Sequence, residues 1–178
     1  MAQMTTKQYI EVTFIIQVGE IVPTHPYIAF MTMGIGIEFL GKCMNGGNFN
    51  EEGVSRKRFE EAITHIPAFT KYRALIGKGS AFDLYSCLRC GLAHAAAPKY
   101  PITLSSKGEM PNLEIHDNGK RINLRCEDFY VDFKNACEDA FKMNAPVATK
   151  LSSPFLAVPD YENDNLVVQS AVTESLAR

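Results

Sequence analysis

The chain has no tryptophan and only four histidines among its 178 residues. His94, His116, Cys43 and Cys126 fall at no metal-ligand spacing, and zinc needs four ligands, so no metal is expected. Long apolar runs are also missing from the N-terminal stretch. Val12 to Ile16 is the longest before Pro23, far short of a secretory core or a span of about 20 residues. The expectation is a soluble cytoplasmic protein that does not enter a membrane. An excess of basic charge is absent too: 18 basic residues meet 20 acidic ones, for a net charge of −2. Nucleic-acid binders are usually basic overall. Cysteine is sparse and odd in number, at five, which argues for reduced, buried thiols rather than a disulfide framework.

The remaining composition is that of a globular domain. Hydrophobic residues make up 46% and charged residues 21%, so disorder, collagen and coiled coil are excluded for the chain as a whole. At roughly 150 residues per domain, the length suits one domain with an appendage. The charge is unevenly placed. Residues 51–125 hold 12 basic and eight acidic residues, a net +4, which leaves −6 for the remainder. A positive face near the middle of the chain is one reading of this, and ordinary solvated surface is the other.

Periodicity predicts a mainly α-helical domain over residues 1–145, with a β-hairpin insertion near 101–125 and an extended or partly mobile tail over 146–178. Residues 6–20 are β-branched enough for a strand. The spacing Ile10, Phe14, Val18 favours a buried helix. Pro23 and Pro26 force a connection. Residues 27–44 follow as a helix whose stripe Ile28, Met31, Ile35, Phe39 and Leu40 is expected to face the core, closed by Asn45-Gly46-Gly47-Asn48. Gly34, Gly36 and Gly41 lower its propensity and invite a neighbouring helix to pack closely.

A third helix starts at Ser55, with Phe59, Ala62, Ile63 and Ile66 on its apolar side, and Pro67 ends it. A fourth runs from Ala81 to about Ala96 over Leu84, Leu88 and Leu92, ended by Pro98. Short strands are predicted at 102–104, 112–116 and 121–125, the last two joined by the tight-turn signal Asp117-Asn118-Gly119-Lys120. The last long helix spans Cys126 to about Met143. Glu127 and Asp128 suit its N-terminal dipole, and Phe129, Phe133, Ala136, Cys137 and Ala140 form a clean apolar stripe. A short helix near 166–176 is a further expectation.

The chemistry concentrates in residues 84–99. Arg89 and His94 are five apart on one predicted helix, about 140° around its axis, and can flank a common groove. Asp83 is the other charge of this helix, and an arginine in such an apolar setting needs a partner or an exit to solvent. Capping carbonyls or pairing with Asp83 or Glu38 would satisfy it, and His94 would then be only a C-terminal-turn histidine favoured by the helix dipole. Glu38 stands alone in an apolar run and either orients Arg89 or His94 or lies on the surface, the commoner fate of a lone glutamate. Gly91 and Ala93 keep the helix surface low, so that a second molecule could approach.

This stretch resembles the Arg-x4–6-His motif of the HEPN superfamily, the higher eukaryotes and prokaryotes nucleotide-binding domains. Arg89 and His94 match the motif, and residues 6–143 match only as a helical pattern. The resemblance implies a four- to five-helix bundle that forms homodimers through the motif helices. It further implies a metal-independent ribonuclease or RNA-binding protein without a cofactor, of the kind found in toxin–antitoxin and defence systems. An antitoxin-like protein partner belongs to the same picture. In that chemistry the RNA 2′-hydroxyl attacks the adjacent phosphate. His94 would move the proton, since an unperturbed imidazole titrates near pH ~6.5, and Arg89 would hold the phosphate and stabilise developing charge. Glu38, Cys90 and Asp83 would support the pair. Cys90 departs from the polar residue, commonly Asn, that follows the arginine in active members. Other members are non-catalytic and serve in assembly alone, so a helical dimerisation or partner-binding module is the alternative.

Three further signals are weaker. Cys87 and Cys90 make a CxxC without a second one or a βαβ setting. Gly77-Lys78-Gly79-Ser80 lacks the upstream glycine and strand of a phosphate loop. Lys71, Tyr72 and Arg73 form either an RNA-contacting rim or an exposed turn.

Overall fold

The computed structural model describes residues 4–44, 51–143 and 145–152. The fold is mainly helical with one small sheet. Helix α1 runs without a break through Thr6–Tyr9, a π-helical stretch Ile10–Gln17, and Val18–Ile21. Thr5 and Gln8 close a capping box at its start: the Thr5 hydroxyl accepts from the Gln8 amide, and the Gln8 side chain accepts from the Thr5 amide. Ile10, Phe14 and Val18 are buried, as their spacing predicts.

Helix α2 spans Pro26–Met44. Its core face matches the expected one at Leu40, and in part at the half-buried Phe39, but differs elsewhere. Ala29, Phe30, Met33, Ile37 and Leu40 are buried, whereas Ile28, Met31 and Ile35 are 47%, 37% and 45% exposed. The reason lies in the glycines. The helix is apolar almost all round, so the bulky stripe does not choose its inner side, and close approach does. A Cβ at Gly41 would overlap the Arg58 carbonyl. By length and composition α2 could cross a membrane, although 61% of its most apolar window is buried within the fold.

Helix α3, Ser55–His65, packs on α2 at this glycine contact, with Phe59, Ala62 and Ile63 inward. After Pro67 the chain continues as a 3-10 helix, Pro67–Leu75. Tyr72 is fully buried there, against the expected exposed rim or turn. Its hydroxyl donates to Asp132 at 2.6 Å and accepts from Asn112, which ties the segment into the core. Lys71 and Arg73 on either side of it are exposed.

Helix α4 is shorter than predicted. It consists of π-helical turns Tyr85–Arg89 followed by Cys90–Ala95, since residues 81 and 82 form a turn. Leu84, Leu88 and Leu92 are buried as expected. Ala96 ends the helix in a left-handed conformation, φ 50°.

Strands β1 (Ile102–Ser105), β2 (Ile115–His116) and β3 (Arg121–Arg125) follow. The β2–β3 hairpin turns through the predicted Asp117–Lys120 residues. Beyond expectation, β1 pairs parallel to β3, so the sheet order is β1-β3-β2. Helix α5, Cys126–Phe141, buries the predicted stripe of Phe129, Phe133, Ala136, Cys137 and Ala140. The tail does not begin as extended chain. Ala145–Ser152 forms helix α6, packed on α1, α2 and α5 with Val147 and Leu151 inward. The helix expected near 166–176 and the Asn45–Asn48 stop lie outside the described residues.

Candidate functional site

Helix α4 crosses α2 at Gly34, where a Cβ would meet the Arg89 Cα at an ordinary 3.6 Å. This crossing carries the Arg89 side chain along α2 to Glu38. The guanidinium Nη2 lies 2.7 Å from Glu38 Oε2. Glu38 is not a surface residue: it is only 5% exposed, and Arg89 covers it from the solvent side while remaining 18% exposed itself. Lys42, one turn further along α2, approaches the other carboxylate oxygen at 3.9 Å. The Arg89–Glu38 pair is close but poorly aligned, because Glu38 Oε2 and Arg89 Nε are both buried without a hydrogen-bond partner. The donor left unused, Nε, is itself buried.

Tyr85, one turn before Arg89, sits between two cations. The Arg56 guanidinium lies 4.6 Å from its ring centroid and that of Arg89 lies 5.8 Å away. Burial, reinforced by the Cys90 thiol, pushes the Tyr85 phenol above its ordinary pKa. Asp83 serves Arg56 rather than Arg89. Its two oxygens accept from Arg56 at 3.1 and 2.9 Å, and Glu60 accepts from the same group at 3.0 Å. Of the two carboxylates weighed for Arg89, Glu38 is the partner. Asp83 bears on the site only through Arg56 and the shared Tyr85 ring.

His94 is exposed near the C-terminal end of α4, one turn beyond the half-buried Cys90. Between Arg89 and His94 the outward strip of the helix is low: Ser86, Cys90 and Ala93 carry small side chains. Gly91 does not belong to it. It is buried beneath the chain's own return, and a Cβ there would sit 2.7 Å from the Ala97 carbonyl and 3.1 Å from the Lys99 nitrogen. The expected approach of a second molecule at Gly91 is therefore pre-empted by residues 97–99, and only Ala93 remains open.

The same return adds a residue that the motif did not identify. The Lys99 amide donates to the Cys87 carbonyl at 2.9 Å, and the Lys99 ammonium donates to Ser86 Oγ at 2.8 Å. Lys99 is thereby held over the start of the strip. Arg89 and Lys42 face one carboxylate, Glu38, and the Lys99 ammonium meets the Ser86 hydroxyl, whereas the charge of Arg56 is met by Asp83 and Glu60. The strip is locally positive in a chain that is acidic overall. The only sequence sign of Lys99 was its place just after the helix-ending Pro98.

The remaining candidates are spread elsewhere. Cys43, Cys87, Cys126 and Cys137 are buried free thiols, and burial raises Cys43 and Cys126 to about 12. Among the described residues no group of three or more His, Cys, Asp or Glu could hold a metal ion. His116 accepts from or donates to Thr103 at 3.0 Å within the sheet. No family model, no curated protein and no solved structure matches this chain.

Proposed function

We propose that the chain is a HEPN-like cytoplasmic protein that binds RNA and cleaves it without a metal, using Arg89 and His94 across the strip of α4. The observation that supports this most is the guanidinium of Arg89, anchored on Glu38 yet partly exposed. Glu38 fixes one nitrogen, and the side chain, 18% exposed, would turn its outer edge to a phosphate. Arginine presents a planar, permanently charged fork to such an oxyanion. His94, exposed at the far margin of the strip, is free to take the proton of an attacking 2′-hydroxyl or give one to the leaving oxygen. Lys99 contributes a further cation for the adjoining phosphate.

The test is incubation of the protein with RNA in the presence of EDTA, with the product ends assayed for 2′,3′-cyclic phosphate. Cleavage that disappears in both Arg89→Ala and His94→Ala is expected. Cleavage that survives both substitutions rules the reading out.

A second reading is a non-catalytic association module of the same fold, and one observation favours it. Tyr27, Ile28, Met31 and Ile35 give α2 an outward apolar face beside the α4 crossing. A contiguous face of this kind marks an interaction surface. A second copy seated there would make a homodimer and bring two Arg89–His94 strips near one another, so the two readings are compatible. An antitoxin-like protein would use the same face. Constant sedimentation mass from micromolar to millimolar protein, with no partner recovered, would remove the association reading.

A further inference from the structure

Tyr100 follows Lys99 directly and is the most exposed of the large apolar side chains among the described residues, at 60%. An exposed tyrosine ordinarily turns freely, and this one does not. Its hydroxyl donates to Asp117 Oδ2 at 2.6 Å. The Arg121 guanidinium covers one ring face, 5.2 Å from the centroid, while Arg121 Nε donates to the Tyr100 carbonyl at 3.0 Å. The backbone is equally constrained. Pro98 and Pro101 bracket the Lys99-Tyr100 pair, and the Lys99 amide is bonded to α4. The hairpin turn, which supplies Asp117, and β3, which supplies Arg121, therefore hold an aromatic blade in one orientation, directly after the Lys99 that is bonded to α4.

Such a blade is more than surface filling. Its own packing area is small, because most of the ring is in water, so three braces on it contribute little to the core. They do remove the ordering cost that a ligand would otherwise meet. A ring backed by a guanidinium presents its other face for stacking, and the neighbouring ammonium of Lys99 supplies a phosphate contact. An unpaired nucleobase followed by its phosphate matches that pairing of a flat apolar face and a cation. Bases inside a duplex are stacked on each other and cannot reach it. Asp117 brings one negative charge to the neighbourhood, and its Oδ2 is committed to the Tyr100 hydroxyl.

We propose that Tyr100 is a base-stacking platform that makes single-stranded RNA the substrate class of the Arg89–His94 strip. This rests on the RNA reading above. The proposal requires one base to stack on the Tyr100 ring while the adjacent phosphate meets Lys99.

The test uses the full chain and a fluorescein-labelled single-stranded RNA with 2′-O-methyl sugars, which cannot attack their own phosphates. A parallel strand carries 2-aminopurine. The wild type should bind the single strand more tightly than the matching duplex and quench the 2-aminopurine. Tyr100→Ala should weaken single-strand binding about tenfold and abolish the quenching, with the thermal midpoint unchanged. Tyr100→Phe, which keeps the ring but not the Asp117 brace, should retain most of both. If Tyr100→Ala binds and quenches like the wild type, the platform is overturned while the RNA reading stands. If the wild type binds neither strand nor duplex, the RNA reading and the platform fall together. Equal affinity for strand and duplex also overturns the platform.

Discussion

The Arg89 guanidinium lies 2.7 Å from the Glu38 carboxylate, and the glutamate is itself 5% exposed. The pair therefore fixes where the arginine can act. It also ties α4 to α2 at a buried carboxylate whose other neighbour, Lys42, lies 3.9 Å away. Removing either partner deprives the other of its nearest counter-charge, and such losses exceed the net worth of the pair.

Glu38→Ala should consequently destabilise the fold by about 3 kcal/mol, near the lower edge of the range for buried pairs because Arg89 retains some water. Arg89→Ala should cost a comparable amount. The Glu38→Met, Arg89→Met double variant should recover part of the loss. Urea midpoints of the three variants check this. Additive losses in the double variant would show that the two side chains do not depend on each other.

The glycines of α2 should differ sharply. Gly41→Ala pushes a methyl into the Arg58 carbonyl of α3, a backbone atom that cannot step aside. A cost of about 3 kcal/mol or more is expected, at the upper end of overpacking effects. Gly34→Ala meets only ordinary contacts with Arg89 and should change stability by about 1 kcal/mol or less, while gaining helix propensity. Thermal midpoints of the two variants provide the comparison, and equal losses would contradict the close α2–α3 approach.

Alkaline pH should weaken the fold in a defined window. Burial raises Cys43 and Cys126 from 9.0 to about 12, and raises Cys137 as well. Below pH 9.0 these thiols are protonated in both the folded and unfolded chain, so they add no pH dependence. As the pH climbs above 9.0 the unfolded chain loses protons first, and stability falls until the folded pKa is passed. Each thiol contributes up to about 1.4 kcal/mol per pH unit within that window. Urea midpoints at pH 8, 9.5 and 10.5 should decline, and Cys43→Ala should flatten the decline even though it lowers stability at pH 8. The buried thiols should also react with an aromatic disulfide far more slowly than the half-buried Cys90.

The apolar face of α2 offers an independent check on association. Ile28→Glu with Ile35→Glu changes two side chains that touch water, so the fold of a monomer should shift by about 0.5 kcal/mol or less per site. If copies associate there, sedimentation of the wild type should show a mass that rises with concentration and that the double variant loses. Identical concentration dependence in both would place any association elsewhere.

The legible parts of the fold were those where pattern and packing agree. The α5 stripe and the Asp117–Lys120 turn could be read directly, because a one-sided apolar face and a turn needing positive φ leave few alternatives. Residues 6–20 could be read as strand or helix, and the spacing of Ile10, Phe14 and Val18 was the feature that favoured the helix they form. The orientation of α2 was not legible, since a helix apolar on nearly every side carries no periodic signal and its glycines decide the contact. Tyr72 was misplaced because an aromatic between Lys71 and Arg73 looks exposed until Asp132 and Asn112, distant in sequence, are brought to its hydroxyl. Among the residues singled out by type and spacing, the Arg89–Glu38 pairing was one of the alternatives the sequence offered, whereas the burial of Glu38 was not the expected outcome. Lys99 could not be named, because its approach depends on how the chain returns after Ala96.

The central claim is that His94 moves a proton during cleavage of RNA by its own 2′-hydroxyl. His94 is exposed, so His94→Ala removes the imidazole with little effect on the fold, and it isolates chemistry from stability. The most direct measurement is the rate at which the wild type and His94→Ala release 2′,3′-cyclic phosphate ends from single-stranded RNA in EDTA at neutral pH. Loss of a proton-transfer group predicts a rate lowered by about 10²- to 10⁴-fold with the melting temperature retained. Equal rates in the two proteins, or no cyclic ends from the wild type, would contradict the account.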